Sequence, residues 1–268
     1  MASICFIGAG AMGGATIRGL LRENVYSTDE IVACDSSQVV RDSIGKDLGI
    51  GTNASNTKGV SGSQIVLLTV KPQHLENVMA EIYPSLTEET LVISFVAGAT
   101  LATLTAHLHT ERIVRAIPNT PAQLGQGITL WTAASGVDHA GSTKTREILA
   151  ALGVEMYTPD ERHIDMATAV SGSGPAYALA VLEAWTDAGV LLGLPRPMSE
   201  KLALETIRGT MDMVDVSDLH PALLRAQVTS PGGTTAAALQ VLEEDGLRAA
   251  FGRAIAAAYS RSIELGEK

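Results

Sequence analysis

The amino-acid sequence predicts an α/β fold, with an N-terminal domain built on a parallel β-sheet and an all-α domain after it. Up to about residue 160, short apolar runs suited to strands alternate with segments of helical periodicity, which is typical of β-α-β units. Beyond that point the chain is rich in Ala and Leu at helical spacing and shows no convincing strand pattern. We therefore expect two domains, over residues 1–160 and 161–268.

The N-terminal domain is predicted to hold six strands, each a short apolar run. In chain order they are SICFIG, EIVACDS, QIVLLTVKP, TLVISFVAG, RIVRAIPNTP and GITLWTAA. The segments with helical spacing are AMGGATIRGLLREN, HLENVMAEIYPSL, LATLTAHL and KTREILAALG. Because strands and helices alternate, we expect the strands to run parallel.

The C-terminal domain is predicted to consist of helices that are apolar on more than one face. They lie in PMSEKLALETIRGTMDMV, GTTAAALQVLEEDG and LRAAFGRAIAAAYSRSIELG, after a long apolar helix that begins near Met166. That first helix is interrupted between Ser171 and Pro175, either as a structural kink or as part of an active site. About a hundred residues cannot bury several such faces internally, so we expect this domain to pack against a second copy.

Composition excludes several classes of function. The 268 residues carry a formal net charge of −10, which argues against a nucleic-acid-binding surface, although backbone dipoles can still bind small anions. Cys5 and Cys34 lie in predicted strands without metal-ligand spacing, so we expect reduced core thiols, no metal site and a cytoplasmic protein. No leader and no membrane span are expected, since Pro and Gly interrupt the uncharged stretch 116–137.

A glycine-rich turn follows the first predicted strand. It matches G-x-G-x-x-G between a strand and a helix, a pattern that allows a tight turn, close approach of a pyrophosphate and close helix packing. We predict a Rossmann-type dinucleotide-binding domain, and the alternative is a purely structural glycine turn. The residues expected to contact the cofactor are Gly8, Ala9, Gly10, Ala11, Met12 and Gly13.

Asp35 ends the second predicted strand, where a carboxylate binds the hydroxyls of the adenosine ribose. This favours NADH, whereas the neighbouring Ser36 and the more distant Arg41 leave NADPH open. The other interpretation of Asp35 is an exposed turn carboxylate. The residues that follow the third strand, at the edge where open α/β sheets bind ligands, are Val70, Lys71 and Pro72. Lys71 either lies beside the cofactor or is a solvated loop lysine.

A second anion-binding turn is predicted near the other end of the chain. The run VTSPGGTT, from Val228 to Thr235, precedes an apolar helical stretch and combines small residues with hydroxyls. Such a helix start exposes backbone N–H groups that favour an anion. The sequence therefore predicts two separate anion-binding turns in one protein.

Seven motifs resemble, in order, those of the pyrroline-5-carboxylate reductase family. They are FIGAGAMGGA, VLLTVKPQ, VISFVAG, RAIPNTP, AVSGSGPAY, DAGVLLGLPR and VTSPGGTTAAALQVLE. The resemblance spans nearly the whole chain, and SPGGTT is its most specific part. It implies a Rossmann domain followed by a helical domain that interlocks two subunits. The implied reaction is hydride transfer from NAD(P)H to the C=N bond of 1-pyrroline-5-carboxylate, giving L-proline. Homodimers are implied, and their further assembly into a decamer is left open.

The resemblance also implies roles for individual residues. In the family, the turn that matches Val228–Thr235 holds the substrate carboxylate, and Thr235 matches a threonine beside the ring nitrogen. We expect Thr235 to polarise the imine, with helix capping as the other interpretation. The implied substrate contacts are Val228, Ser230, Gly232, Gly233, Thr234 and Thr235; the further cofactor contacts are Asn56, Ala97, Gly98 and Asn119. Many family members place Asn or Ser with Arg after the second strand and lean to NADPH, whereas Asp35 leans to NADH.

Two rival functions compete with this interpretation. A β-hydroxyacid dehydrogenase has a similar two-domain plan and uses a lysine on the first long helix of its second domain, but this chain has no Lys between Lys144 and Lys201. A non-catalytic dinucleotide sensor would leave the SPGGTT motif unexplained. Weaker alternatives are His220 as an acid near the second turn, and His107 with His109 as metal ligands.

Overall fold

The computed structural model describes residues 3–266, which form two compact units. One unit comprises residues 3–173 together with 258–266, and the other comprises residues 174–257. These bounds differ from the predicted division at residue 160. Residues 161–173 and 258–266 belong to the unit that contains the sheet.

An eight-stranded sheet forms the centre of the first unit. Its strands are β1 Ile4–Ile7, β2 Ile31–Cys34, β3 Gly51–Asn53, β4 Ile65–Leu68, β5 Leu91–Ser94, β6 Ile113–Pro118, β7 Gly127–Ala133 and β8 Gly153–Tyr157. Their order across the sheet is β3-β2-β1-β4-β5-β6-β7-β8. The strands β1, β4 and β5 are buried at every position, as expected for unbroken apolar runs in a sheet that is covered on both faces.

All neighbouring strands pair in parallel except β6 and β7, so the expectation of an entirely parallel sheet is wrong at this point. A short 3₁₀ turn, Thr120–Leu124, joins these two strands, and parallel pairing would need a longer crossover. The strands β3 and β8 were not predicted from the sequence. Both are edge strands without a continuous buried run, which is why no apolar pattern marks them.

The helices of the first unit are α1 Ala11–Arg22, α2 Gln38–Leu48, α3 Asn56–Val60, α4 Leu75–Ile82, α5 Leu101–Leu108, α6 His139–Ala150 and α7 Arg162–Ala167. The second unit holds α8 Gly174–Leu191, α9 Arg196–Asp215, α10 Pro221–Gln227 and α11 Thr234–Glu244, while α12 Leu247–Gly266 begins there and ends in the first. The helices α2, α3 and α10 were not predicted from the sequence. Within residues 3–266, every helix is too short or too polar to cross a membrane.

The predicted interruption of the first apolar helix is a π-helical turn, Thr168–Gly172, between α7 and α8. The Thr168 hydroxyl donates to the Ile164 carbonyl over 2.8 Å, and the Ser171 hydroxyl donates to the Ala167 carbonyl over 2.9 Å. Hydroxyls that bind carbonyls four residues earlier loosen the helical ladder. Pro175, which follows at the start of α8, has no N–H to restore it.

A buried arginine explains why residues after 160 belong to the sheet unit. Arg115 on β6 is 2% exposed, and its guanidinium donates to Glu161 over 2.9 Å and to Asp165 over 2.7 Å. Glu161 also accepts the backbone N–H of Leu101 at the start of α5, over 2.7 Å. Asp165 accepts the hydroxyl of Ser262, on the last part of α12, over 3.0 Å. The network therefore ties α5, α7 and the end of α12 to the sheet.

The second unit has almost no interior of its own. Within residues 174–257, the buried residues are Thr186, Ser199 and Ala203. Large apolar side chains remain exposed, including Leu179 at 62% and Trp185 at 49%. Helices of this kind need a partner surface to cover them.

Candidate functional site

The glycine turn, Gly8–Gly13, joins β1 to α1 in a conformation that needs glycine at two positions. Gly8 has a φ of +94°, and a Cβ there would lie 2.9 Å from the carbonyl oxygen of Thr69. A Cβ on Gly13 would collide with the carbonyl oxygen of Gly8 and lie 2.8 Å from the Thr69 hydroxyl. The turn is therefore packed tightly against the end of β4.

Gly10 differs from these two glycines, because a Cβ there would meet no atom within 4 Å. Gly10 is the N-cap of α1, and no side chain caps the helix. The first backbone bond of the helix comes from Gly14 N–H, which donates to the Gly10 carbonyl over 2.8 Å. The N–H groups of Ala11, Met12 and Gly13 therefore have no intrahelical partner at the positive end of the helix dipole. The site fits the pyrophosphate of a dinucleotide cofactor.

Asp35 lies just after β2 and connects it to the glycine turn. Its Oδ2 accepts the backbone N–H of Ala9 over 2.9 Å, and its Oδ1 accepts that of Ser37 over 2.9 Å. Each carboxylate oxygen keeps a free lone pair for a ribose hydroxyl. The Arg41 guanidinium binds the backbone carbonyls of Asp35 and Ser36, over 2.6 Å and 3.0 Å, instead of pairing with the carboxylate.

A cavity of about 420 Å³, here called the ribose cavity, opens at the carboxyl ends of β1, β2 and β4. The predicted cofactor residues that line it are Gly8, Gly10, Asp35, Ser36, Asn56, Val70 and Lys71. Ala9, Ala11, Met12 and Gly13 belong to the turn beside it. The polar lining residues that were not predicted from the sequence are Thr69, His74, Asn77 and Glu81. No motif marks these four, because the sheet and α4 bring them to the cavity from other parts of the chain.

Thr69 and Glu81 form hydrogen bonds with Gly8 and Asn56, two residues that were predicted to contact the cofactor. The Thr69 hydroxyl lies 2.5 Å from the carbonyl oxygen of Gly8 and so fixes the glycine turn. Glu81 on α4 accepts the Asn56 backbone N–H over 3.1 Å and the Asn56 side-chain amide over 2.7 Å. Asn56 is therefore held at the first position of α3 by a carboxylate from another helix.

Pro72, Ala97 and Gly98 were predicted to contact the cofactor, but they line a neighbouring cavity of about 480 Å³. Leu265 and Gly266, at the end of α12, also line it, and a Cβ on Gly98 would lie 2.9 Å from the Leu265 backbone. Asn119 lies in neither cavity. Its side-chain oxygen accepts the Ile128 N–H over 3.0 Å and so closes the turn between β6 and β7.

The predicted second anion-binding turn, Val228–Thr235, lies between α10 and α11 in the second unit and is here called the substrate turn after its predicted role. Gly232 has a φ of +68°, and a Cβ on Gly233 would collide with the Ser230 hydroxyl, so both positions favour glycine. Gly233 caps α11 without a side-chain bond. The first bond of that helix is from Ala237 N–H to the Gly233 carbonyl, over 3.2 Å.

This geometry leaves the N–H groups of the first turn of α11 without an intrahelical partner. Thr234 is exposed and Thr235 is half-buried at the same helix start. Val228, Ser230 and Gly232 are exposed on the turn itself. The predicted substrate residues thus lie together on one turn, whose amides and hydroxyls suit a small carboxylate.

Two family models match different parts of the chain. The family model described as pyrroline-5-carboxylate reductase dimerisation matches residues 161–265. The model described as NADP oxidoreductase, coenzyme F420-dependent, matches residues 3–98. The expected fold class, a Rossmann-type domain followed by a helical dimerisation domain, is confirmed.

Individual relatives match nearly the whole chain. Pyrroline-5-carboxylate reductase of Synechocystis sp. is 40% identical over 262 residues, which cover 98% of this chain and 97% of the relative. The Pseudomonas aeruginosa enzyme of the same name is 40% identical over 266 residues, or 99% and 97%. The structure of Plasmodium falciparum pyrroline carboxylate reductase with NADP bound has a TM-score of 0.90 at 30% identity, covering 99% and 98% of the two chains. The structure from Coxiella burnetii has a TM-score of 0.91 at 34% identity, covering 100% and 99%. Likeness at this level, over nearly the full length of both chains, shows that this chain belongs to the pyrroline-5-carboxylate reductase family.

Proposed function

We propose that this protein is an NAD(P)H-dependent reductase that converts 1-pyrroline-5-carboxylate to L-proline, the last step of proline biosynthesis. The observation that carries the proposal is the substrate turn, in which glycine geometry and uncapped amides coincide with the family's SPGGTT signature. A dinucleotide sensor without catalysis has no use for this second anion-binding turn. A reductase for an anionic imine needs both turns.

In this proposal the glycine turn holds the cofactor pyrophosphate, and the ribose cavity holds the adenosine ribose. The residues concerned are Gly8, Ala9, Gly10, Ala11, Met12 and Gly13 for the pyrophosphate, and Asp35, Ser36, Asn56, Val70 and Lys71 for the ribose side. Pro72, Ala97, Gly98 and Asn119 remain proposed contacts for the rest of the cofactor. The bound nicotinamide supplies a hydride to the C=N carbon of the substrate.

The substrate turn holds the carboxylate of the cyclic imine. Backbone N–H groups at the start of α11, with the hydroxyls of Ser230 and Thr234, donate to the two carboxylate oxygens. Gly232, with its positive φ, and Gly233, where a Cβ would collide with the Ser230 hydroxyl, give the turn its shape. Val228 is a further proposed contact on the same turn. Fixing the carboxylate also fixes the orientation of the ring to which it is attached, and this positioning supplies most of the catalysis.

Thr235 is the proposed catalytic residue. Its hydroxyl, one residue inside α11, donates a hydrogen bond to the ring nitrogen as the electron pair of the C=N bond moves onto that atom. A threonine hydroxyl is too weak an acid to give up its proton, so solvent or a pre-protonated iminium supplies it.

We also propose that the protein works as a homodimer through residues 161–268, since the exposed apolar helices of the second unit need a cover. The cytoplasm is the proposed location. Cys5 and Cys34 are free thiols 3.9 Å apart in the core, and hydrogen bonding to Cys34 and burial raise the pKa of Cys5. Two unoxidised thiols at this distance suit a reducing compartment.

The test is a direct assay of the purified protein. Adding 1-pyrroline-5-carboxylate should oxidise NADH or NADPH, followed by the loss of reduced-nicotinamide absorbance, and L-proline should form in equal amount. Absence of turnover with both cofactors would refute the reaction and favour the sensor.

A further inference from the structure

The environment of Asn56 determines which atom of its side chain faces the ribose cavity. Glu81 accepts the Asn56 Nδ2–H over 2.7 Å, and a carboxylate can only accept hydrogen bonds. The amide nitrogen must therefore point at Glu81, which leaves the Oδ1 oxygen on the other side. Among residues 3–266, no donor binds this oxygen, and Asn56 lines the ribose cavity.

Glu81 holds Asn56 through two hydrogen bonds. Besides the side-chain amide, its carboxylate accepts the Asn56 backbone N–H, over 3.1 Å. In the described part of the chain, no Lys, Arg or His forms an ion pair with Glu81. Its negative charge therefore adds to that of Asp35 on the lining of the same cavity.

The two groups give one part of the cavity, which Ser36 and Lys71 also line, a surface that accepts hydrogen bonds. The Asp35 carboxylate and the Asn56 Oδ1 both accept, and a ribose 2′-hydroxyl can donate to either. A 2′-phosphate offers only acceptor oxygens and a negative charge, so it is repelled by the carboxylates and finds no donor in the amide.

We propose that Glu81 is a positioning residue for cofactor choice: by orienting the Asn56 amide, it favours the 2′-hydroxyl of NADH over the 2′-phosphate of NADPH. This inference rests on the proposed function, because it places the adenosine ribose of NAD(P)H in this cavity. Asp35, which lines the same cavity, favours the same cofactor by accepting ribose hydroxyls directly.

The test compares ADP-ribose with 2′-phospho-ADP-ribose by titration calorimetry, using the full chain. Both probes lack nicotinamide, so binding is measured independently of turnover. The intact protein should bind ADP-ribose more tightly. In Glu81→Gln, the new amide can donate to Asn56 Oδ1, and the Asn56 amide can turn its Nδ2–H toward the cavity. The ratio of the two affinities should then fall by about threefold to tenfold, the worth of one hydrogen bond.

Two further variants separate this mechanism from a general charge effect. Glu88→Gln removes the same charge from an exposed loop after α4 and should leave the ratio unchanged. In an Asn56→Ala background, Glu81→Gln should change the ratio less than in the intact protein, because the amide is gone and only the loss of the Glu81 charge remains. If Glu81→Gln fails to fold, Asn56→Ala alone must lower the ratio.

An unchanged ratio in Glu81→Gln, or a full effect that persists without Asn56, would overturn the inference, as would tighter binding of the 2′-phosphorylated probe by the intact protein. These results are distinguishable from a failure of the proposed function. Absence of turnover with the expected binding ratios would refute the reaction alone, and turnover with unaltered ratios would refute the role of Glu81 alone.

Discussion

The carboxylate of Asp35 accepts the backbone N–H of Ala9 over 2.9 Å, so the end of β2 is tied directly to the glycine turn that follows β1. One side chain therefore serves two purposes. It holds the glycine turn in shape, and in the proposed function it presents acceptors to the ribose.

Replacing Asp35 by Ala should weaken the binding of NADH more than the binding of NADPH. The loss of hydrogen bonds to a charged group should raise the KM for NADH by about 10- to 100-fold, while NADPH, which loses a repulsive neighbour, should be affected less. Steady-state kinetics with both cofactors measure this. Asp42→Ala on the exposed face of α2 is the matched control. Equal losses for the two cofactors would remove Asp35 from cofactor choice.

Alanine substitutions at two glycines of the turn should have different effects, one on the stability of the protein and the other on cofactor binding. Gly13→Ala forces a methyl group against Gly8 and Thr69, and should destabilise the protein by about 2 kcal/mol. Gly10→Ala meets no protein atom within 4 Å, so its effect on the free energy of unfolding should stay below about 1 kcal/mol. Its methyl group would instead occupy the space of the pyrophosphate and raise the KM for either cofactor at least tenfold, on the order expected for steric exclusion. Urea unfolding measures the stability of both variants, and steady-state kinetics on the same samples measure the KM for each cofactor. If Gly10→Ala left the KM unchanged, the pyrophosphate would not lie there.

Thr235→Val should lower kcat by about 10- to 100-fold and change the KM for the cofactor less than twofold, since it removes a hydrogen bond to the reacting nitrogen and retains the shape of the side chain. Thr235→Ser keeps the hydroxyl and should recover most of the rate. The experiment is a comparison of kcat at saturating cofactor and substrate. A rate in Thr235→Val equal to that of the unmodified protein would contradict a catalytic role.

Arg115→Met should be among the most destabilising single substitutions in the sheet unit. It leaves Glu161 and Asp165 without their buried partner, which costs about 3–5 kcal/mol in comparable cases. The triple variant that also carries Glu161→Gln and Asp165→Asn removes the unpaired charges and should regain part of the loss. Free energies of unfolding in urea provide the measurement. No regain in the triple variant would mean that packing, and not charge, dominates.

Ionisation of Tyr26 should lower the free energy of unfolding at high pH. Burial, with smaller contributions from Glu147 and Glu30, raises the pKa of Tyr26 to about 12, against an ordinary value near 10 in the unfolded chain. Because the folded pKa is the higher one, stability is fully present below pH 10 and declines as the pH rises from about 10 to 12. Tyr26→Phe should be less sensitive in that window. The difference in tyrosinate absorbance between the two proteins, recorded against pH, should place the ionisation near 12.

The glycine turn and the substrate turn were predictable because each is local. Gly8, Gly13, Gly232 and Gly233 stand where short-range backbone geometry demands glycine, and such positions leave a direct trace in the sequence. Asp35 was predictable for a related reason, since its spacing from the glycine turn follows from one β-α-β unit.

Other features depend on contacts between distant segments and left no such trace. Glu81 reaches Asn56 across 25 positions of sequence, and Thr69 supports Gly8 across 61. The antiparallel pairing of β7 was missed because an apolar run carries no direction. Asn119 was assigned to the cofactor on a motif, and the bond that its side chain accepts from the Ile128 N–H left no trace in the sequence.

Residues 258–266 complete the unit that residues 3–173 begin, so the chain leaves the sheet unit at residue 173 and returns to it 84 residues later, after 174–257. During synthesis on the ribosome, Ser262 and the segment against Gly98 emerge only after the entire helical stretch has been made. The hydrogen bond from the Ser262 hydroxyl to Asp165 can form only after that segment has been synthesised, and until then the sheet unit lacks this contact. The helices of the second unit are thus synthesised before the sheet unit is complete, so the order of translation bears on how the protein folds.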